Sequence, residues 1–169
     1  MIEIRIDGLS RLQAYVTELE SQLTDRTRLF SDFIAPLVVG EIAEVFETEG
    51  RGEWPPLHPV YAAEKAITHP GKTILRRDDN YIQAATSTSH PGNIARFGPS
   101  EMVWGVDGGY FEAVYGENYP EQHELGTERL PSRPVFELIT VGGRLDENIE
   151  QLTEKWVREE IAEVERRLF

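Results

Sequence analysis

The chain has 169 residues, of which 40% are apolar, and this is enough for one domain with an ordinary hydrophobic core. It contains no cysteine, which excludes disulfide bonds and thiolate metal sites and leaves the redox compartment open. The formal net charge of -13 opposes contact with DNA phosphates. The composition therefore disfavours a protein that reads DNA sequence.

The basic residues are strongly biased toward arginine, since only three of the 17 are lysines. Arginine forms bidentate ion pairs and is enriched at protein interfaces, so the bias favours a protein that binds partners. A compositional habit of a GC-rich genome explains the same bias equally well.

The N-terminal third predicts one strand and two helices. Residues 2–6 alternate apolar and charged side chains, which predicts a strand and not a secretion signal. Apolar residues at three- and four-residue steps predict amphipathic helices over 9–23 and 29–46. Pro36 is expected to kink the second helix or to occupy its first turn. No apolar stretch approaches the roughly 18 residues of a membrane span, so we expect a soluble protein made in the cytoplasm.

Helical periodicity stops after residue 50. Residues 50–59 contain three prolines and are expected to form an extended loop, because proline restricts φ and lacks an amide donor. Three short elements are predicted next: a helix over 61–66, a turn over 69–71 and a helix over 80–86. Asp78 and Asp79 are expected to cap the start of the last helix.

The central part of the chain has a β-like pattern. Residues 87–97 and 102–106 flank Gly98-Pro99-Ser100, which predicts a hairpin. Residues 110–115 are aromatic-rich and are predicted to form another strand. The next predicted elements are a short helix over 118–124, ended by Gly126, and an extended segment over 129–134.

The last predicted element is an amphipathic helix over 146–168, which follows Gly142-Gly143. We therefore predict a single α+β domain over residues 1–169. Its small, mostly antiparallel sheet is flanked by N-terminal helices and a long C-terminal helix.

Residues 66–73 end in Gly71-Lys72-Thr73 and satisfy a relaxed phosphate-loop pattern. A phosphate loop needs a buried strand before it and a helix that opens at the Lys-Thr pair. Here the preceding residues have a helical pattern, Ala66 replaces the first glycine, and Pro70 removes a backbone donor. A nucleotide-binding enzyme that uses Lys72 and Thr73 is therefore only a remote alternative.

No other chemical site emerges from the sequence. The four histidines have no metal-ligand spacing, and three of them lie near prolines. Ser89 and His90 are neighbours on a predicted strand, so their side chains point to opposite faces and cannot form a nucleophile–base pair. We predict no catalytic residue, no cofactor and no metal.

Two groups of large apolar residues lie on segments without regular periodicity. The first contains Trp54, Pro55, Pro56, Leu57 and Tyr61, and the second contains Tyr110, Phe111, Tyr115 and Tyr119. Exposed aromatic residues on loops are typical of partner contacts. In the alternative, these loops fold back and cover the sheet.

Five motifs resemble, in the same order, those of the phage virion-morphogenesis family. They are Phe46-Glu47-x-Glu49-Gly50-Arg51-x-x-Trp54-x-Pro56-Leu57, Tyr61-x-x-x-Lys65, Pro70-Gly71-Lys72-x-x-Leu75-Arg76, His123-Glu124-Leu125-Gly126-Thr127 and Arg133-Pro134-Val135-Phe136. The family includes tail-completion (neck) proteins of Mu-like and P2-like phages. The chain departs from the family at Arg77-Asp78-Asp79, where a Thr-Gly pair usually precedes a helix.

The resemblance implies a structural virion protein without enzymatic activity, located at the neck or tail end and acting in tail completion or head–tail joining. It implies a homo-oligomeric ring, hexameric by the symmetry of the tail, between a head-side connector and tail tube or tail terminator proteins. Another minor tail or head-closure adaptor is the alternative. An acidic channel would let DNA pass without specific binding.

The motifs and the aromatic groups together predict residues that contact neighbouring subunits or partners. They are Trp54, Pro56, Leu57, Tyr61, Arg76, Arg77, Tyr110, Phe111, Tyr115, His123, Arg133 and Phe136. As an exposed anchor, Trp54 would contribute more to assembly than to the stability of the isolated subunit.

Overall fold

The computed structural model describes residues 9–140 and 144–168, so the predicted strand over 2–6 lies outside the described residues. Two strands pair within a largely helical framework. The elements in chain order are α1 (Leu9–Thr24), a π-helical turn (Leu29–Ile34), α2 (Ala35–Glu47), α3 (Pro59–Thr68), α4 (Asn80–Thr86), β1 (Asn93–Phe97), β2 (Met102–Val106), α5 (Gly108–Tyr115), α6 (Tyr119–Leu125), α7 (Phe136–Thr140) and α8 (Arg144–Leu168).

The predicted α+β class is confirmed, with an antiparallel hairpin and a long C-terminal helix. In the hairpin, Ala95 lies opposite Trp104, and the amide of Gly98 donates to the carbonyl of Glu101 across the turn. The first strand begins only at Asn93, so the predicted start at residue 87 is wrong. The preceding segment forms turns instead, because the amide of His90 donates to the carbonyl of Ser87.

The strand predicted over 110–115 is wrong, since these residues belong to helix α5. Asp107 caps this helix by accepting a hydrogen bond from the amide of Gly109 at 2.9 Å. Gly116 ends the helix in a left-handed conformation with φ of 80°. The caps at Asp107 and Gly116 therefore favour a helix here, although the aromatic residues between them have strand propensity.

Helix α2 lies at the centre of the core and packs against α4, α7 and α8. Pro36 lies in its first turn, directly after the π-helical turn, as predicted. Ile42, Val45 and Phe46 on its inner face are fully buried. The Phe46 ring meets the buried Tyr81 ring edge-on at 5.2 Å, which joins α2 to α4.

The segment over 50–59 is only partly extended, because a tight turn precedes its extended residues 55–58. Glu49, Gly50, Arg51 and Gly52 all have positive φ, at 51°, 73°, 57° and 82°. This left-handed turn reverses the chain after α2. No helix in the described part of the chain is long and apolar enough to cross a lipid bilayer.

Candidate functional site

The left-handed turn places Trp54 in the core. A Cβ atom on Gly50 would lie 2.2 Å from Cδ1 of the Trp54 ring, so the close approach requires glycine. The indole Nε1 donates to the carbonyl of Pro134 at 2.9 Å, and the Trp54 side chain is only 6% exposed. The interpretation of Trp54 as an exposed anchor is therefore wrong. Its segment folds back onto α2, where Trp54 meets Phe46, whereas the alternative placed it over the sheet.

Arg51 ties the same turn to helices α2 and α7. Its Nη2 atom lies 2.5 Å from Oε2 of Glu41, which is buried on α2. Its Nη1 atom donates to the carbonyl of Leu138 at 3.0 Å. A buried carboxylate requires such a partner, so Arg51 compensates the burial of Glu41.

Arg133 is buried and joins the last motif to the first. Its guanidinium donates from Nε to the carbonyl of Pro55 at 3.0 Å and from Nη2 to the carbonyl of Pro56 at 3.1 Å. Its backbone amide donates to the carbonyl of His123 at 2.6 Å. Burial lowers the pKa of Arg133. Arg133 is only 4% exposed, which argues against its predicted contact with a neighbouring subunit.

Glu124 holds together three parts of the chain through one oxygen atom. Its Oε1 accepts hydrogen bonds from the amides of Val135 at 2.7 Å and Phe136 at 3.1 Å. The same atom accepts from the hydroxyl of Tyr81 at 3.1 Å. Burial, followed by the charge of Glu124, raises the pKa of Tyr81, so this hydroxyl stays protonated as a donor.

Lys65 and Glu49 join the second and third motifs to this cluster. The buried Lys65 donates from Nζ to the carbonyl of Thr73 at 2.5 Å, and burial lowers the pKa of its amine. Glu49 accepts from the amide of Ile74 through Oε1 at 2.9 Å. Together the five motifs form one connected cluster. We call Glu49, Trp54, Lys65, Glu124 and Arg133 the motif junction.

Sequence reasoning did not predict Glu49, Lys65 or Glu124 as members of a site. All three stand inside the quoted motifs, but charged residues on irregular segments are usually exposed. Their spacing within the motifs was the available signal. Their hydrogen-bond partners, however, belong to other segments of the chain, which the local sequence does not identify.

The departure at residues 77–79 has a structural role of its own. Asp79 lies in a left-handed conformation and binds Arg76 at 2.9 Å and also Lys72. Hydrogen bonds from these two cations lower the pKa of Asp79. Asp78 accepts from the amide of Asn80 at 3.1 Å, whereas the Asp79 side chain makes no capping bond. The capping prediction therefore holds for Asp78 only.

The phosphate-loop pattern over 66–73 does not adopt a phosphate-loop structure. Helix α3, and not a strand, precedes it, and the next helix opens only at Asn80. Lys72 is engaged by Asp79. Within residues 9–140 and 144–168, no group of three histidine or acidic side chains is arranged to hold a metal ion.

The twelve predicted contact residues divide by exposure. Trp54, Phe111 and Arg133 are buried; Leu57, Arg76, Tyr110, His123 and Phe136 are half-buried; Pro56, Tyr61, Arg77 and Tyr115 are exposed. The fully buried Phe111 packs against Tyr119 at 4.9 Å, so its predicted contact role also fails in this arrangement. For the half-buried and exposed residues, the contact role stays a prediction.

His123 is expected to make the stability of the domain depend on pH. Burial and, secondarily, the nearby Arg133 cation lower its pKa to about 4, and its Nδ1 atom is buried without a partner. The unfolded chain takes up the proton near pH 6.5, before the folded state does. The free energy of unfolding is therefore expected to fall as the pH drops from 6.5 to 4.

This expectation can be measured by urea unfolding at several pH values, with His123→Gln as the comparison. The variant lacks the titrating ring, so its loss of stability over this pH interval should be smaller than that of the wild type. Equal slopes for the two proteins would show that His123 does not contribute.

No family model matches this chain, and the searches of curated proteins and of solved structures produce no match either. The resemblance to virion-morphogenesis proteins therefore depends on the sequence motifs alone.

Proposed function

We propose that this chain is a structural virion protein of the phage neck, acting in tail completion or head–tail joining as a homo-oligomeric ring. The supporting observation is the motif junction. Each of the five motifs forms at least one hydrogen bond with another of the five motifs. Chance matches have no reason to meet in space, whereas motifs that share a fold do.

The contacts explain the residue types in the motifs. Glycine is required beside the Trp54 ring, and an indole donor is required to reach the carbonyl of Pro134. A guanidinium spans two adjacent carbonyls at Pro55 and Pro56, which a shorter or single-donor side chain cannot do equally well. The buried residues of the motifs are therefore explained as a folding unit, and the assembly surfaces are to be sought among the exposed side chains.

The outer surface supplies candidates for such assembly. Several large apolar side chains are more than half exposed, although the chain carries 30 acidic residues that could have covered the surface. They are Leu12, Val16, Val60, Ile67, Val114 and Leu125. Where exposed apolar side chains lie together on one helix face, as Leu12 and Val16 do on α1 and Val60 and Ile67 do on α3, they are candidates for subunit contacts.

The proposal places the protein in the virion neck, between the head-side connector and the tail tube or tail terminator proteins. The net charge of -13 supports a role in which DNA passes without being held, because acidic side chains repel phosphate.

Deleting the gene from a phage that encodes this chain should leave heads and tails that are each complete but unjoined. We expect infectivity to fall by several orders of magnitude and a plasmid-borne copy to restore it. Electron microscopy of lysates distinguishes separated heads and tails from whole particles. Normal infectious particles from the deletion mutant would contradict the proposal, and imaging that places the protein elsewhere in the particle would indicate a minor tail or head-closure adaptor.

A further inference from the structure

The first half of α1 carries exposed apolar side chains. Helix α1 runs antiparallel to α8, and Oε1 of Glu18 lies 2.9 Å from Nη1 of Arg167, in the last turn of α8. The residues of α1 before Glu18 form about 12 Å of helix, at 1.5 Å per residue. We call residues 9–17 the α1 arm.

Two apolar side chains of the α1 arm are more than half exposed. Leu12 is 57% exposed and Val16 is 52% exposed, and these two residues are one helical turn apart on the same face. By contrast, Leu19 and Leu23, further along the helix, are half-buried. Burial of these leucine and valine side chains therefore increases toward the C-terminal end of α1.

The charge of the α1 arm differs from that of the whole chain. Residues 9–17 contain no carboxylate, and Arg11 is their only charged side chain, in a chain of net charge -13. Like charge opposes the approach of two copies. The α1 arm is therefore a segment that can approach an acidic surface without repulsion.

A second unpartnered surface lies on α3. Val60 is 72% exposed, Ile67 is 82% exposed, and the exposed Ala63 lies between them on the same face. We call these three residues the α3 stripe. Glu64 is exposed at the edge of this stripe. The buried Lys65 holds α3 to the domain from its other side.

We propose that the α1 arm of one copy packs along the α3 stripe of the next copy, with Arg11 beside Glu64. The other two pairings of these surfaces are disfavoured by charge. Two α1 arms would bring two Arg11 side chains together, and two α3 stripes would bring two Glu64 side chains together. Only the mixed contact joins opposite charges, and in the described part of the chain neither residue has an ion-pair partner.

The dimensions and the symmetry of this contact are consistent. The α3 stripe spans eight residues, about 10 Å of helix, which is close to the length of the α1 arm. A contact between two different surfaces is heterologous and can repeat around a closed ring. The inference rests on the proposed function for ring closure, whereas the contact itself can be tested without the phage.

Exchanging the two charges tests the contact directly. Arg11→Glu and Glu64→Arg should each weaken self-association about fivefold in analytical ultracentrifugation at low salt, because each places like charges together. The double variant should return to within about twofold of the wild type. Arg129→Glu and Glu101→Arg carry the same charge changes at exposed positions outside both surfaces and should have little effect. All four positions are exposed, so the variants should fold.

The absence of native cysteine permits a second, geometric test. A mixture of Val16→Cys and Ile67→Cys proteins should form covalent heterodimers on mild oxidation, and a chain with both changes should form a ladder of covalent oligomers. Crosslinking confined to Val16→Cys homodimers would overturn the proposal in favour of arm-to-arm packing.

The outcomes separate this contact from the proposed function. A wild type that associates while none of the variants changes association would overturn the contact and leave the neck proposal standing. A wild type that stays monomeric at every concentration would also overturn the contact. Normal infectivity of the deletion mutant would overturn the neck function, while a specific crosslink between residues 16 and 67 would still establish the contact.

Discussion

Replacing Trp54 with alanine is expected to lower the free energy of unfolding by about 3–5 kcal/mol, the usual loss for a buried aromatic residue. The ring is 6% exposed, meets the edge of Phe46 at 6.0 Å and donates to the carbonyl of Pro134. The substitution removes the packing of the ring and leaves that carbonyl without its donor. Urea unfolding of the isolated subunit measures the effect, which should correspond to a melting temperature lower by roughly 10 °C.

Two comparison variants separate the contributions. Trp54→Phe keeps most of the buried volume but loses the indole donor, so about 1–2 kcal/mol should be lost. Tyr61→Ala removes an aromatic ring that is 41% exposed in the same region and should cost much less than Trp54→Ala. If Trp54→Ala left the isolated subunit stable and impaired only assembly, the position of Trp54 in the core would be refuted.

Replacing Glu124 with alanine is the second large expected effect, a loss of about 2–4 kcal/mol. One carboxylate oxygen accepts from the amides of Val135 and Phe136 and from the hydroxyl of Tyr81. Its removal leaves a hydroxyl on the 1% exposed Tyr81 and two amides without their acceptor. The melting temperature and urea midpoint of the isolated subunit report this loss.

Tyr81→Phe removes only one of the three donors, so it should cost about 1 kcal/mol. Glu121→Ala, on the same short helix α6 but exposed, removes an acid of the same type and should cost little. The order Glu124→Ala, Tyr81→Phe, Glu121→Ala is the expected order of destabilisation. A Glu124→Ala protein as stable as Glu121→Ala would show that the cluster does not hold α6 and the 133–136 segment together.

The fold class and most helices follow from local signals in the sequence. Apolar periodicity is strong over α1, α2 and α8, and it persists whatever these helices pack against. The helix over 80–86 and the hairpin turn at Gly98 were also predictable, because they depend on residues close together in the chain. There are two exceptions. In α5 the caps at Asp107 and Gly116 outweigh the strand propensity of the aromatic residues, and the short helix α7 was not predicted.

The distinction between buried and exposed motif residues could not be predicted from the sequence. Trp54 and Tyr61 belong to the same aromatic group, yet one is in the core and the other is on the surface. The difference arises from the left-handed turn at Gly50 and from the carbonyl of Pro134, which is 80 residues away. Burial of an irregular segment is decided by such long-range partners, since local sequence does not specify which distant groups will meet.

The sequence by itself determined the acidic composition, the α+β class and the motifs that resemble those of virion-morphogenesis proteins. Only the tertiary structure decided that these motifs bind one another through Arg133, Glu124 and Lys65. It also decided which apolar side chains remain on the surface, in the α1 arm and the α3 stripe. The physical reason is that helix periodicity is local, whereas hydrogen-bond satisfaction and burial depend on chain segments brought together by folding.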